Sequence, residues 1–179
     1  MIIVLSLFYH FTVPLFIPMP QPKFHGPLPQ VGTTAPTLRY VKQDRSEGAL
    51  TDLLGHVVVL LAFPSVDTKT CAVETRTFNQ KALGLGARVL SISMDLPPAL
   101  KRFCGVEGIE NVETVSDYRY RDAALVWGAA MVEGNLAGTH GRITWVIDQQ
   151  GVIRYVEVAP ELGSEPDYDK AIAAVKGLL

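Results

Sequence analysis

His56-Val-Val-Val-Leu-Leu-Ala-Phe63 runs directly into Pro64-Ser-Val-Asp-Thr68-Lys-Thr-Cys71 and on into Ala72-Val-Glu-Thr-Arg76-Thr-Phe78. The first block is a continuous apolar, β-branched run, the pattern of a central strand covered on both faces. From Cys71 to Leu83 the chain reads as a helix, with Val73, Phe78 and Ala82 offering apolar contacts and Gly84-Leu85-Gly86 ending it. Glu74 reads as a surface residue of the first turn that compensates the helix dipole. The Gly-x-Gly precedes a strand rather than following one, so it is a poor phosphate loop.

A strand, a short turn and a helix that opens on a cysteine place the thiol where its anion is favoured. The thiolate is the nucleophile, and an ordinary cysteine is only a few per cent ionised at pH 7. A helix N-terminus favours the anion through unpaired N–H groups and its dipole. Arg76, about one turn along the same helix, offers a cation as well. Cys71 therefore reads as an activated cysteine.

Two cysteines, 71 and 104, are too few for a disulfide-stapled scaffold and suit one redox pair. The four histidines are scattered, without the spacing of a zinc site. A net charge of −2 and the lack of any long basic run argue against a nucleic-acid partner.

Elsewhere, Arg88 to Met94 reads as a second core strand. Asp95 is placed to cap a short helix that Pro97 and Pro98 open and Gly105 ends. Ile143–Asp148, the turn Gln149-Gln150-Gly151 and Val152–Val158 form a hairpin pattern. Tyr168 to Leu179 closes the chain as a helix with Ala171, Ile172, Val175 and Leu178 on its buried face. Trp127 and Trp145 read as core. Helices mixed with strands indicate an α/β layered fold around a mixed sheet, and 179 residues at 48% hydrophobic content suit one domain.

That domain is read as residues 23–179, behind an apolar extension at residues 1–22. The extension has no Lys or Arg before Lys23 and no small-residue cleavage site, so it is a poor secretory signal. It is short for a membrane span and carries His10 and Pro14. An upstream or dispensable start, an added strand or partner contact, and export remain three readings of it. Gln21 to Pro36 is rich in Pro and Gly and reads as an irregular approach.

Pro64-x-x-x-Thr68-x-x-Cys71 has the active-site spacing of the peroxiredoxins. Together with Phe63-Pro-Ser-Val-Asp-Thr68, Asp95-Leu-Pro97 and Arg102-Phe-Cys104-Gly105, the chain resembles the bacterial thiol peroxidase branch. Gly138 to Arg142 leading into Ile143–Asp148, with Glu161 and Glu165-Pro-Asp-Tyr168, extends the resemblance over residues 30 to 179. It departs at the N-terminus, where the family's opening hairpin looks shortened and Leu38 replaces a common aromatic residue.

The resemblance implies a thioredoxin-like fold and a thiol-dependent peroxidase acting on hydrogen peroxide and small alkyl hydroperoxides. An alkyl preference would suit the apolar Leu61, Phe63 and Leu96. It implies Cys71 as the peroxidatic and Cys104 as the resolving residue, joined in one intramolecular disulfide that thioredoxin reopens. Read without the family, a cysteine on an apolar face beside Phe103 is more often an inert buried one. Thr68 would place a hydroxyl near the peroxide, Pro64 would shield the sulfur, and Arg142 would hold the thiolate and bind the substrate, with Arg76 assisting.

No cofactor is needed, since sulfur carries the electrons. A homodimer is implied, in the cytoplasm or, alternatively, the periplasm. A peroxide-sensing relay with little turnover is the second reading; a disulfide reductase is weakened by the absence of Cys-x-x-Cys. Because a disulfide needs the two Cα atoms within about 7 Å, the short Pro97–Gly105 helix is expected to unfold locally when it forms.

Overall fold

Strand β3, Val58–Ala62, is buried at all five positions and lies inside the sheet, with a strand paired on each side. In the computed structural model, which describes residues 22–179, it is preceded by β1 (Arg39–Val41) and β2 (Glu47–Ala49). It is followed by α1 (Lys69–Ala82), β4 (Arg88–Ser93), α2 (Pro97–Glu107) and β5 (Glu113–Ser116). A single π-helical turn at Asp122–Val126, the hairpin β6 (Ile143–Ile147) and β7 (Ile153–Val158), and α3 (Tyr168–Lys176) complete the chain. The apolar extension expected at residues 1–22 lies, but for its last residue, outside the described region.

The seven strands run in the order β2-β1-β5-β4-β3-β6-β7. β3 pairs parallel with β4 and antiparallel with β6, so the sheet is mixed as its elements suggest. Alternation along β3 then decides the two layers. Val59 and Leu61 face Phe78 of α1, Leu100 and Phe103 of α2, and Ala171 and Val175 of α3. Val58, Leu60 and Ala62 face a second cluster with Leu38, Tyr40, Trp127 and Trp145. The two tryptophans meet edge to face, with ring centroids 5.1 Å apart.

The ends of the elements differ from the sequence reading in informative ways. Helix α1 begins two residues early, at Lys69, because Thr68 caps it. Glu74 therefore lies beyond the first turn. Helix α2 runs through Gly105 to Glu107 and stops at Gly108, whose φ of 64° needs no Cβ. Asp95 does not cap α2; Leu96 holds that position without a side-chain bond. The Asp95 carboxylate instead accepts bonds from Ser65 Oγ, Val66 N and Ser93 Oγ, each at 2.8 Å. It thereby ties the end of β4 to the loop that delivers Cys71.

Strands β1, β2 and β5 have no counterpart in the sequence reading. They are three or four residues long, too short for a period-2 pattern to register. The hairpin turn does match: Asp148 Oδ1 accepts from Gln150 N and Val152 N, and Gly151 takes φ 81°.

The paired indole at the centre of the second layer makes a direct stability test. Trp145→Ala should lose about 3–5 kcal/mol, measured by guanidinium unfolding, as expected for deletion of a large buried ring.

Candidate active site

Thr68 builds the start of α1. Its hydroxyl donates to Ser65 O at 3.1 Å and accepts from Cys71 N at 3.4 Å, closing the Pro64–Thr68 turn and capping the helix at once. Pro64 is buried in that turn. Cys71 follows in the first turn, fully buried, with Leu61 and Phe63 in the same apolar cluster. Leu96, expected beside them, is 56% exposed.

Arg142, immediately before β6, reaches the sulfur from across the sheet. Its Nη2 lies 3.4 Å from Cys71 Sγ, and the same nitrogen donates to Leu162 O at 2.9 Å. Nε also donates to Leu162 O, at 3.2 Å. Nη1 donates to the carboxylate of Glu74. The guanidinium is thus held from two sides, by Glu74 and Leu162, with the third turned to the thiol.

Glu74 corrects the sequence reading. It is not a solvated dipole-compensating residue but a fully buried partner of Arg142, with Oε1 unpaired. A position three residues after Cys71 on a helix shares its face, and that spacing was the available signal. Arg76, five residues on, turns away and pairs with Glu107 of α2 at 2.6 Å. The cation that faces the sulfur is Arg142, which only the sheet brings near.

Two buried groups fix the segment that carries Arg142. His140 Nε2 meets Asp117 Oδ2 at 2.9 Å, and Asp117 also accepts from Ala123 N and Ala124 N. His140 Nδ1 lies 3.4 Å from Ile92 O of β4. This strut joins the Gly138–Arg142 approach to β4 and β5; the sequence reading had passed over it.

Cys104 lies elsewhere. Its sulfur sits on α2 facing β5, 3.2 Å from Thr114 Oγ1 and 3.3 Å from Gln43 Nε2. Burial pushes its thiol up, with the Thr114 and Gln43 hydrogen bonds opposing. Both cysteines are free. Between the start of α1 and α2 lies a cleft of about 260 Å³ lined by Val66, Asp67, Thr68, Arg102, Phe103 and Val106, among others. Asp67 and Arg102 bridge it at 3.1 Å. Among the described residues no cluster of three or more His, Cys, Asp or Glu could hold a metal ion.

Burial raises the Glu74 carboxyl to about 7, against the lowering pull of Arg142. Burial works against the Arg142 charge, but Glu74 and Cys71 outweigh it and the net shift is upward. A carboxyl raised above its unfolded value stabilises the fold fully below the unfolded value. That contribution is lost as pH rises through the folded one. Stability should therefore fall as pH rises from about 4.5 through about 7, as Glu74 ionises. Glu74→Gln should remove that fall, so the difference in unfolding free energy from wild type should change with pH in this window. A constant difference would contradict a titrating Glu74.

Known proteins share this arrangement's frame. The Redoxin family model matches residues 30–172. A thiol peroxidase of Leptospira interrogans is 42% identical over 160 residues, covering 88% of this chain and 94% of the relative. A thiol peroxidase of Mycobacterium tuberculosis is 41% identical over 150 residues, covering 84% and 90%. The crystal structure of a peroxiredoxin-like protein from Aquifex aeolicus superposes with a TM-score of 0.84 at 39% identity, covering 88% of this chain and 92% of that one. With a cysteine on the first turn of α1 and an arginine delivered to it across a thioredoxin-like sheet, the chain belongs to the redoxin family and, within the peroxiredoxins, to the thiol peroxidases.

Proposed function

We propose that this thiol-dependent peroxidase reduces hydrogen peroxide and small alkyl hydroperoxides through Cys71, resolves the product with Cys104, and is recycled by a thioredoxin-type dithiol. The observation that carries the reading is the Arg142 guanidinium, 3.4 Å from the buried sulfur of Cys71 and locked there by Glu74 and Leu162. A fixed cationic donor beside a nucleophilic sulfur holds the thiolate and meets the charge that develops on the peroxide oxygens.

In the first step the Cys71 thiolate attacks the terminal peroxide oxygen. The O–O bond breaks, the sulfur becomes a sulfenic acid, and the leaving alkoxide takes a proton to depart as alcohol or water. Pro64 and the turn it begins keep water from the sulfur. Thr68 holds the turn and the helix cap, and its hydroxyl, bonded to Cys71 N, orients the peroxide in this reading. Arg76 belongs to the α1–α2 contact through Glu107 in this reading rather than to the substrate.

In the second step Cys104–SH attacks Cys71–SOH, forming the disulfide and releasing water. Both thiols are free and Cys104 is hydrogen-bonded to Thr114 of β5, so in this reading α2 opens to release it. Eleven residues are fewer than an isolated helix needs for stability. Amide exchange across Pro97–Glu107 should be faster in the disulfide form than in the reduced form; equal protection in both would rule out this opening.

Exposed Leu125, Val126 and Val132 offer apolar surface for the homodimer that the family resemblance implies. A relay with little turnover is not favoured for a chain aligned to thiol peroxidases over most of their length.

Thioredoxin-coupled consumption of cumene hydroperoxide and hydrogen peroxide tests the reading. Cys71→Ser should be inactive, Cys104→Ser should complete one turnover without recycling, and Arg142→Met should slow the first step by about 10²-fold. Full turnover by Cys104→Ser, or a single turnover by wild type that thioredoxin does not restore, would reject the cycle.

A further inference from the structure

The Cys104 sulfur closes a ring of side chains with two residues that have no part in the cycle above. Gln43, at the turn between β1 and β2, directs Nε2 to Cys104 Sγ at 3.3 Å and to Thr114 Oγ1 at 2.8 Å. The Thr114 hydroxyl, on β5, lies 3.2 Å from the same sulfur. An amide nitrogen has only protons to give, so both of its bonds run outward from Gln43. The third side runs either way while Cys104 carries its proton. When the thiol is ionised, Thr114 donates and the sulfur accepts two bonds.

The ring ties α2 to the β1–β2 turn and β5, which are themselves joined by the Val41–Ser116 strand pairing and the Lys42–Glu113 ion pair. Thr114 is buried in the sheet and Gln43 is half-buried over it, so both donors are already in place when α2 is folded. On the outer side, Lys42, Gln43, Asp44, Glu113 and Thr114 line an open cleft of about 200 Å³. When the sulfur leaves, water can enter there and satisfy the groups it leaves behind. Two ion pairs of α2, Arg76–Glu107 and Arg102–Asp67, involve side chains 29–63% exposed and are correspondingly weak.

We propose that Gln43 and Thr114 are positioning residues that latch the resolving thiol to β5 and so set the rate at which the disulfide forms. The proposal rests on the reading of Cys104 as the resolving residue and deepens it. While the latch holds, Cys71–SOH persists and a second peroxide can oxidise it, the sulfenic acid becoming a sulfinic acid as ROOH becomes ROH. Once the latch opens, Cys104–SH and Cys71–SOH give the disulfide and water. The latch thus sets the partition between resolution and inactivation without touching the peroxide.

Single-turnover mixing of reduced protein with hydrogen peroxide, quenched by acid and alkylation and read by mass spectrometry, separates the two steps. Gln43→Leu and Thr114→Val should speed disulfide formation about three- to tenfold, the worth of a net hydrogen bond or so. They should leave the first oxidation of Cys71 unchanged and give less sulfinic acid in excess peroxide. Thr114→Ser, which keeps the hydroxyl, should behave as wild type.

A folded variant that resolves no faster than wild type overturns the latch. If Thr114→Val fails to fold, Gln43→Leu, at a half-exposed turn, decides alone. If wild type itself forms no Cys71–Cys104 disulfide, the resolving role falls and the latch with it. That outcome is distinct from a disulfide that forms at the same rate in wild type and variants.

Discussion

The Arg142 guanidinium joins the start of β6, the first two turns of α1 and the loop after β7, because its donors are divided among Cys71, Glu74 and Leu162. A cation this deeply buried has to be answered by an anion or by oriented carbonyls. Glu74 and the Leu162 carbonyl meet that requirement from two sides and leave the third edge for the sulfur. The planar fork of an arginine suits such a division, where a lysine would bring a single point of charge. If any of these partners moves, the donor facing Cys71 moves with it.

Much of the surrounding structure can be understood as holding that one geometry. Asp95 pins the loop before α1 to the end of β4, and Thr68 pins the same loop to the helix it starts. The His140–Asp117 strut holds the approach to Arg142 against the far end of β4 and the π-helical turn. These contacts are buried or part-buried, and together they hold the Cys71 half of the site in place. Helix α2 is built otherwise. It has two prolines at its start, no side-chain cap, partly exposed ion pairs, and a small apolar face carried by Leu100 and Phe103. In the proposed cycle, rigid capture of peroxide and easy release of Cys104 thus fall to different parts of the fold.

Where the amino-acid pattern was dense, it was enough. The Val-Val-Leu-Leu-Ala run could only be a strand covered on both sides, and the proline-threonine-cysteine turn behind it placed Cys71 at a helix start. Asp148 with Gly151 specified the hairpin turn, and Ala171 and Val175 marked the buried face of α3. Each of these is local: a period, a cap or a turn residue acts within a few positions, so its physics is complete in the chain itself. The short strands β1, β2 and β5 carry no such signal, and they exist because the sheet supplies their partners.

What tertiary structure alone decided is which charges meet. Glu74 and Arg76 are two residues apart on one helix, and either could have faced the sulfur or the solvent. The sheet brings Arg142 from 71 positions away to Cys71, which draws Glu74 inward and leaves Arg76 to Glu107. Gln43, Thr114 and Cys104 likewise come from three separate elements and meet only in the folded protein. By itself the sequence determined the strand, the cysteine at a helix start and the layered fold, because those follow from local pattern. The ion pairs and side-chain rings around the two thiols were settled by folding, because their energy depends on distances that only long-range packing sets.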